Sequence, residues 1–550
     1  MSTAANLLWY ARNLGNVGRL VYRPLTPERG RALIRRLMET RQERFLASAT
    51  RYIYGYPRSP YLPLLRLAGC EFGDLAGMVR QKGLEVTLGT LRDEGVWLSF
   101  EEFKGRQEVV RAGRSFRFSE QDFDNPFLKA GVQLTTGGTR SRGSPVSIGL
   151  KFLEENFAPV IHLALVALEA TGVPSVLWSG GVGVIPLPLG FLNAGNPLAR
   201  WFTMHDPNEP TVTARQRMLP TILNVVARPR GVQIPRPEYA PVSAVDTVLT
   251  CLLDLRRRHG GCLIMTSPSA AVRLAARARQ RGEALDGVSV LSAYEPLTAS
   301  KAAEIQESGA RLGSMYAFSE GGAVGAACGD PGAVDDMHFV ACNMALIPHR
   351  RTIPEVGDLN AYMFTSLGSL PPKILLNVES DDFGEFTLRR CRCPLDERGF
   401  HHHLAFVRSF TKLTAQGSTI LGTDCVHILE EVLPREFGGR SIDYQLLEVE
   451  DEDQLTRLLL LVSPEVGPVD EQRVQERFVE ELRRRTAQGL RIWRQAEAIR
   501  VVRREPVATP RGKVLPFHTQ ALAAFLGAGK HSVAAPVSTG ERPDRVPSSS

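Results

Sequence analysis

Three short segments of the chain combine residue types suited to nucleotide chemistry. The first is a Gly/Thr-rich loop formed by Thr135, Thr136, Gly137, Gly138, Thr139 and Arg140. The second is the segment Tyr316-Ala317-Phe318-Ser319-Glu320, and the third ends in Gly512-Lys513 near the C-terminus. Glycine amides, hydroxyls and a guanidinium group can converge on phosphate oxygens. Glu320 offers the hard oxygen that Mg²⁺ prefers, so the segments together predict a nucleotide phosphate site.

The Gly/Thr-rich loop by itself does not establish a phosphate-binding site. It is not a GxxxxGK[ST] P-loop, because no lysine follows its glycines. Arg140 and Arg142 are the cations available in its place, and an ordinary exposed Gly/Ser loop is the alternative interpretation.

The order and spacing of these segments resemble the adenylate-forming superfamily of acyl-CoA synthetases, adenylation domains and luciferases. Within it, the chain is most similar to the branch of phenylacetate-CoA ligase and the acyl-protein synthetases. The resemblance spans about residues 55–525. It rests on the following motifs: Thr135–Thr139 with Gly143-Ser144-Pro145, Ala293-Tyr294-Glu295-Pro296-Leu297, Tyr316–Glu320, and Gly512-Lys513.

The resemblance implies roles for individual residues. Ala293, Tyr294 and Glu295 would border the adenine of ATP, on which Tyr316 would stack. Ser319 would face the α-phosphate, and Glu320 would help to hold Mg²⁺. In the same way, the loop from Thr135 to Arg140 would wrap the β- and γ-phosphates.

The resemblance also implies which residues contact the ribose and what Lys513, near the C-terminus, does. Either Asp381 or Asp382 would accept hydrogen bonds from the ribose hydroxyls, and Arg408 would contact the same sugar. Lys513 would enter the site from a small C-terminal domain and bridge the attacking carboxylate and the α-phosphate. A cation placed there stabilises developing charge, an effect on the order of a hundredfold or more in rate.

The implied activity is activation of a carboxylic acid by Mg·ATP through an acyl-adenylate, with release of pyrophosphate. Coenzyme A is the favoured acceptor of the acyl group. The acid is expected to bind in a pocket lined by residues from Trp178 to Asn193 and near Tyr294. The apolar run Val184–Leu187 in this segment favours an aromatic or fatty acid as the substrate. Three alternatives stay open: transfer to an acyl-acceptor protein, a carrier thiol or an amine; nucleotidyl transfer; and a degraded nucleotide-binding scaffold.

The periodicity of the chain predicts the elements that position these residues. Between 152 and 316, helical stripes alternate with short apolar runs, which indicates a largely parallel sheet covered by helices. Strand-like runs dominate 338–386 and predict a β subdomain. Beyond Phe410, strands near 444–449 and 458–462 and a helix with Val474, Phe478 and Leu482 on one face predict a compact α+β unit.

The predicted fold class is therefore a large α/β N-terminal domain with a small mobile α+β C-terminal domain, like the acyl-CoA synthetases. The large domain would span residues 1–408 with a helical lead-in over 1–55, and the small domain 409–530. The Pro/Ser-rich residues 531–550 are predicted to be a disordered tail.

Composition narrows the function classes. The chain has 550 residues and a net charge of +7, without a long basic tract, which argues against nucleic-acid binding. No run is apolar for long enough to predict a membrane span or a secretory leader. Eight scattered cysteines predict reduced thiols in the cytoplasm, and Cys391 and Cys393 beside a histidine run are interpreted as thiols rather than a zinc knuckle. A monomer and a homodimer both stay open.

Overall fold

The computed structural model describes most of the chain outside its two ends and several loops. The described residues are 26–128, 132–135, 145–179, 186–204, 206, 217, 220–221, 224–225, 227–231, 233–294, 297, 299–353, 357–368, 370–409, 412–415, 418–450, 456–485, 499–508, 514 and 516–518.

The strands within these residues are numbered in chain order. They are β1 Val109–Arg111, β2 Arg114–Phe116, β3 Val132–Thr135, β4 Pro145–Ile148, β5 Ser175–Ser179, β6 Leu198–Thr203, β7 Pro237–Tyr239, β8 Cys262–Thr266, β9 Val288–Ser292, β10 Arg311–Ser314, β11 Tyr316–Phe318, β12 Gly322–Ala327, β13 Met337–Phe339, β14 Met344–Ile353, β15 Gly357–Ser366, β16 Val378–Leu388, β17 His402–Ser409, β18 Lys412–Ala415, β19 Ser418–Leu421, β20 Tyr444–Glu450, β21 Thr456–Val462, β22 Ile499–Arg503 and β23 Phe517–His518.

The α-helices are numbered in the same way. They are α1 Pro27–Glu39, α2 Arg41–Ser48, α3 Tyr61–Leu67, α4 Phe72–Lys82, α5 Leu84–Asp93, α6 Phe100–Phe103, α7 Leu150–Phe152, α8 Ala158–Ala167, α9 Pro186–Asn193, α10 Val245–His259, α11 Pro268–Gln280, α12 Ala299–Glu307, α13 Gly422–His427, α14 Leu433–Phe437 and α15 Glu471–Arg485. Wider π-helical turns at Ala49–Tyr54, Leu153–Phe157 and Ile428–Val432 adjoin α2, α8 and α13.

The centre of the large domain is a parallel sheet. Its described strands follow the order β10-β9-β8-β5-β6-β7, and every pairing between them is parallel. Strands β5, β8 and β9 are buried along their whole length, as expected for strands with helices on both faces. The predicted alternation of helices and strands is confirmed, except that β10 ends at Ser314 and Tyr316 begins a different strand.

That next strand belongs to an antiparallel sheet, which corresponds to the predicted β subdomain. The described strands of this sheet follow the order β11-β12-β13-β17-β16-β15-β14. One of its faces packs against the N-terminal helices, because Leu64 and Leu88 share a hydrophobic core with Phe364 and Leu404. The chain crosses from the parallel to the antiparallel sheet between Ser314 and Tyr316.

The C-terminal unit has a core of its own. The described strands of its sheet follow the order β22-β21-β20-β23, and helix α15 covers one face. Val474, Phe478 and Leu482 are fully buried in this core, which confirms the predicted apolar stripe. The fold is thus a large α/β domain with a β subdomain and a small α+β C-terminal unit. The boundary at 408/409 stays a prediction, and residues 531–550 lie outside the described residues.

Within the described part of the chain, no helix has both the length and the apolar character that crossing a bilayer requires.

Candidate active site

The site begins where parallel strands end. Strands β9 and β10 are paired so that Ser292 lies beside Ser314, and the amide of Met315 donates to the carbonyl of Ser292 at 2.8 Å. Ligands in open α/β sheets bind outside the carboxyl ends of the strands. The segments that follow Ser292 and Ser314 are the predicted adenine segment and the predicted Tyr-x-x-Ser-Glu segment, and the sheet therefore brings them together.

The adenine segment leaves β9 in an unusual conformation. The amide of Ala293 donates to the carbonyl of Thr266 at 3.0 Å, which continues the ladder with β8 by one bond. Tyr294 then has a φ of +77°, a region that residues with a side chain rarely adopt. Strain of this kind persists only where the surroundings impose it, and it is common at ligand sites.

Ser319 and Glu320 occupy the tight turn between β11 and β12. Gly322 closes this turn with a φ of +80°, and a Cβ there would lie 2.3 Å from Oδ1 of Asn156. Asn156 in turn bonds the backbone of Ala323 twice, accepting from its amide at 2.8 Å and donating to its carbonyl at 3.2 Å. A buried side chain thus fixes the position of the turn that carries both candidate residues.

Tyr316 and Asp382 contact each other directly. The hydroxyl of Tyr316 donates to Oδ2 of Asp382 at 2.6 Å, although the two residues belong to non-adjacent strands. Burial and then the charge of Asp382 raise the pKa of Tyr316 well above its usual value, so the phenol stays protonated. The predicted adenine-stacking residue and one of the two ribose candidates are therefore neighbours in the fold.

The Glu320 carboxylate is held by a lysine from the N-terminal part of the chain. Lys104 donates to Oε1 of Glu320 at 2.7 Å and to Oε1 of Glu120 at 2.9 Å. Burial lowers the pKa of Lys104, but its pairs with Glu320 and Glu120 outweigh that effect and raise the pKa. Its ammonium also lies 5.7 Å and 5.5 Å from the ring centres of Phe100 and Phe103.

A second lysine extends this network. Lys373 is 2% exposed and donates to Oδ1 of Asp124 at 2.6 Å and to the carbonyl of Glu120 at 3.0 Å. Its ammonium is also 3.8 Å from Oε1 of Glu120. The network joins the carboxyl groups of Glu320, Glu120 and Asp124 with the two lysine ammonium groups. Three carboxylates therefore face two cations, and this charge balance favours the binding of a further cation.

The remaining ribose candidates lie on neighbouring strands. In the pairing of β16 with β17, Asp382 lies opposite Ser409 and Phe383 opposite Arg408. The backbones of Asp381, Asp382 and Arg408 are therefore close to one another. The side chains of Asp381 and Arg408 are not among the described ones.

Several predicted residues fall partly or wholly outside the described part of the chain. Thr135 ends β3, opposite Pro145 of β4, so the Gly/Thr-rich loop connects these two paired strands. The residues outside the description are Thr136, Gly137, Gly138, Thr139, Arg140, Glu295 and Lys513.

The structure revises the predicted acid pocket at Trp178. The indole is completely buried in the core that contains Phe202 and Val248, and it donates to the carbonyl of Ala240 at 2.9 Å. Tyr294 packs against the other core, the one that contains Leu177. Since successive residues of a strand face opposite sides of a sheet, Trp178 does not line a site shared with Tyr294.

Lys104 and Lys373 are the site residues that sequence reasoning missed. The local pattern around Lys104 predicts a helix start, because Ser99 and Glu102 form a capping box. No periodicity or spacing connects Lys104 to Glu320, which lies 216 residues further along the chain. The only local signal was a lysine that follows two phenylalanines and two glutamates.

Comparisons with known proteins give structural likeness only. No protein-family model matches the chain, and no curated protein has a significantly similar sequence.

Solved structures align with most of the chain at low identity. The amide bond synthetase McbA from Marinactinospora thermotolerans is 12% identical over 92% of this chain and 98% of its own, with a TM-score of 0.42. The anthranilate CoA ligase AuaEII, solved with anthranoyl-AMP, is 11% identical over 78% and 74%, with a TM-score of 0.39. An acyl-CoA synthetase (AMP-forming)/AMP-acid ligase II-like protein from Dyadobacter fermentans is 14% identical over 70% and 86%, with a TM-score of 0.30.

Proposed function

We propose that the protein activates a carboxylic acid with ATP and transfers the acyl group to coenzyme A. The observation that carries the proposal is the contact between Tyr316 and Asp382 beside the carboxyl ends of β9 and β10. An aromatic ring, a carboxylate able to accept from two ribose hydroxyls and a strained turn at Tyr294 supply the parts that a nucleoside site needs. The order of the sequence motifs supports ATP as the nucleotide.

In the first step, a carboxylate oxygen of the acid attacks the α-phosphorus of ATP and the bond to pyrophosphate breaks. In the second, the sulfur of the thiol attacks the acyl carbonyl and AMP leaves, while the thiol proton passes to solvent. The two steps replace oxide, a poor leaving group, with AMP. The Gly/Thr-rich loop would hold the β- and γ-phosphates, and Lys513 the α-phosphate.

Mg²⁺ would be held by Glu320. Lys104 occupies Oε1 of that carboxylate, and the excess of carboxylates around Lys104 and Lys373 suits an additional cation. When bound, the ion would neutralise charge on the phosphates, as Mg²⁺ does with one or two carboxylates and phosphate oxygens. Lys104 positions the Glu320 side chain and sets the charge that the ion meets.

An aromatic or fatty acid is the proposed substrate class, since helix α9, which follows β5 in the chain, is buried and rich in leucine and proline. The eight cysteines are free thiols, which is consistent with a reducing compartment such as the cytoplasm.

Exchange of labelled pyrophosphate into ATP, screened over aromatic and fatty acids, tests the first step. We expect exchange with at least one acid, and a thioester by mass spectrometry when coenzyme A is added. Absence of exchange with every acid, for protein shown to be folded, would overturn the proposal in favour of a scaffold. Exchange without thioester would keep the adenylation step and reject coenzyme A as acceptor.

Lys513→Ala separates the half-reactions. We expect adenylation to fall at least about a hundredfold, because the cation at the α-phosphate is lost, whereas transfer from preformed acyl-AMP is unchanged. Lys151→Ala, at an exposed lysine paired with Glu155, is the matched control and should leave both half-reactions intact. Equal loss of both half-reactions in Lys513→Ala would contradict the assigned role.

A further inference from the structure

Four potential metal ligands converge beside central strands of the antiparallel sheet, outside the proposed nucleotide site. They are Cys328, His338, Cys391 and Cys393, and their ligand atoms all lie within 4.8 Å of one another. Cys328 follows β12 and His338 lies in β13, whereas Cys391 and Cys393 belong to the loop between β16 and β17. The sequence favours reduced thiols at Cys391 and Cys393, and no local spacing reveals Cys328 and His338 as their neighbours, because these two lie on a distant hairpin.

Two of three distances between these atoms match those around a tetrahedral zinc ion, and the third is shorter. Zn–S bonds of about 2.3 Å and Zn–N bonds of about 2.0–2.1 Å place two sulfurs about 3.8 Å apart and a sulfur and a nitrogen about 3.6 Å apart. Sγ of Cys328 and Sγ of Cys391 are 3.9 Å apart. Nε2 of His338 lies 3.6 Å from Sγ of Cys391 and 3.0 Å from Sγ of Cys393.

The histidine is prepared for coordination by its second nitrogen. Nδ1 of His338 lies 2.7 Å from the carbonyl oxygen of Phe400, which can only accept, so Nδ1 carries the proton. The lone pair of a neutral imidazole is then on Nε2, the atom that faces the cysteines. A backbone carbonyl in this position is the usual partner of a metal-binding histidine.

The cluster is also enclosed and electrostatically supported. His338, Cys328 and Cys393 are at most 3% exposed. The amide of Leu395 points at Sγ of Cys393 and the amide of Asp330 at Sγ of Cys328, each at 3.4 Å. The guanidinium of Arg389 lies 3.6 Å from Sγ of Cys328 and can offset the excess negative charge of three thiolates around a dication.

Two other interpretations fit the geometry less well. A disulfide requires sulfurs about 2.05 Å apart, far less than the separation of Cys328 and Cys391. A second set of close ligand atoms, Cys328 with Asp336 and His403, has its carboxylate already engaged. One oxygen of Asp336 bonds Nδ1 of His403 at 2.7 Å, and the other bonds Arg389 and the amide of Gly332.

We propose that Cys328, His338, Cys391 and Cys393 bind one Zn²⁺ ion in a closed tetrahedral site. With four protein ligands the ion has no open position, so its role is structural. It fastens the loop 389–401 to the β12–β13 hairpin, and the thiol protons pass to solvent on binding. Leu388 and His402 pair at this end of β16 and β17, and Asp382 and Ser409 at the other, so the ion holds the far end of the strands that carry the ribose candidates.

Metal analysis of untagged protein, purified under reducing conditions without chelator, tests the proposal. We expect one zinc per chain in the wild type, and loss of most of it in Cys393→Ser and His338→Ala. Cys251→Ser, at a half-buried thiol in α10, and His403→Gln, in the neighbouring set, should keep it. A folded Cys393→Ser variant that retains full zinc, or a His403→Gln variant that loses it, would overturn the assignment.

Cobalt substitution of the wild-type protein tests the proposed zinc site if the variants fail to fold. Replacing zinc with Co²⁺ should give the strong d–d absorption of a tetrahedral ion together with a thiolate-to-cobalt charge-transfer band. A thiol reagent should modify Cys391 much faster after chelator treatment than before. Folded wild-type protein that holds neither zinc nor cobalt in stoichiometric amount, or that gives a weak octahedral spectrum, would refute the site.

Discussion

At the residue scale, the hydroxyl of Tyr316 defines how the candidate site is organised. Its bond to Asp382 orients the carboxylate and fixes the ring at the start of β11. Because its pKa is raised well above the usual value, the phenol stays protonated at neutral pH and can donate to Oδ2 of Asp382. In the proposed nucleotide site, Tyr316 would therefore act in two ways: through its ring and through Asp382.

We predict that Tyr316→Phe raises the KM for ATP about fivefold to tenfold, because the carboxylate loses a donor worth about 1–1.5 kcal/mol. The ring remains, so kcat for pyrophosphate exchange should change less. Tyr54→Phe removes a comparable bond, from a tyrosine hydroxyl to the carbonyl of Cys70 at 3.0 Å, outside the site. If both variants raised KM equally, Asp382 would not be a nucleotide contact.

The ion pair of Lys104 with Glu320 leads to a second prediction about charge. Lys104→Met removes a cation 2.7 Å from the proposed Mg²⁺ ligand, so less Mg²⁺ should be needed for half-maximal pyrophosphate exchange. Glu320→Gln should have the opposite effect. Lys104→Met should also lower the free energy of unfolding by about 3 kcal/mol, because the mostly buried carboxylates of Glu320 and Glu120 both lose the Lys104 ammonium as a donor.

A Mg²⁺ titration of the exchange rate measures this effect, with Lys151→Met at an exposed i,i+4 pair as control. An unchanged Mg²⁺ requirement in both Lys104→Met and Glu320→Gln would show that Glu320 is not near the ion.

At the element scale, the sequence predicts what is local. Short runs of apolar residues predict the buried strands β5, β8 and β9. The stripe of Val474, Phe478 and Leu482 predicts α15, because a helix with one buried face carries apolar residues at helical spacing. Contacts between remote elements leave no such signal. Lys104 follows helix α6 and meets Glu320, and Cys328 meets Cys391, only because the tertiary fold brings distant elements together. The site could therefore be predicted from motifs only where one segment carries the function.

His162, at the contact between α8 and α1, makes the stability of the fold depend on pH. It lies in α8, is 2% exposed, and touches α1 where Gly30 leaves no room for a side chain: a Cβ there would lie 2.9 Å from Nε2 of His162. Burial, with the charges of Arg398 and Arg31, lowers its pKa from 6.5 to about 4. Its imidazole is therefore neutral in the folded protein at neutral pH.

The lowered pKa of His162 makes the folded protein less stable at acidic pH. Between pH 6.5 and about 4 the unfolded chain binds a proton at His162 that the folded chain does not, so stability falls as the pH is lowered through this range. We predict a loss of roughly 3 kcal/mol from this residue, measured as urea midpoints at several pH values. His162→Gln should flatten this part of the profile, and His259→Gln, at the exposed end of α10, should not. Parallel profiles for His162→Gln and the wild type would contradict the assignment.

At the scale of the whole molecule, the C-terminal unit is docked on the large domain by a buried charge pair. Nζ of Lys301 on α12 lies 3.1 Å from Oε1 of Glu430 in the turn after α13, and both side chains are 2% exposed. Ile442 inserts into the core of the parallel-sheet layer beside them, and the amide of Ser441 lies 3.4 Å from Glu304. The proposed reaction needs this unit to deliver Lys513 and then withdraw it, so the strength of the docking bears on both half-reactions.

We predict that Lys301→Met weakens the docking by about 3–5 kcal/mol, because it removes the ammonium that lies 3.1 Å from the buried carboxyl group of Glu430. The radius of gyration from solution X-ray scattering should rise, and the balance between adenylation and acyl transfer should shift. The double variant Lys301→Met/Glu430→Met should recover most of the docking, since two packed apolar groups replace a buried pair at little cost. Arg311→Met, at the exposed pair with Glu169, is the control. Unchanged scattering in Lys301→Met, with the fold intact, would mean that the pair does not hold the two parts together, and the shape change proposed for catalysis would need another restraint.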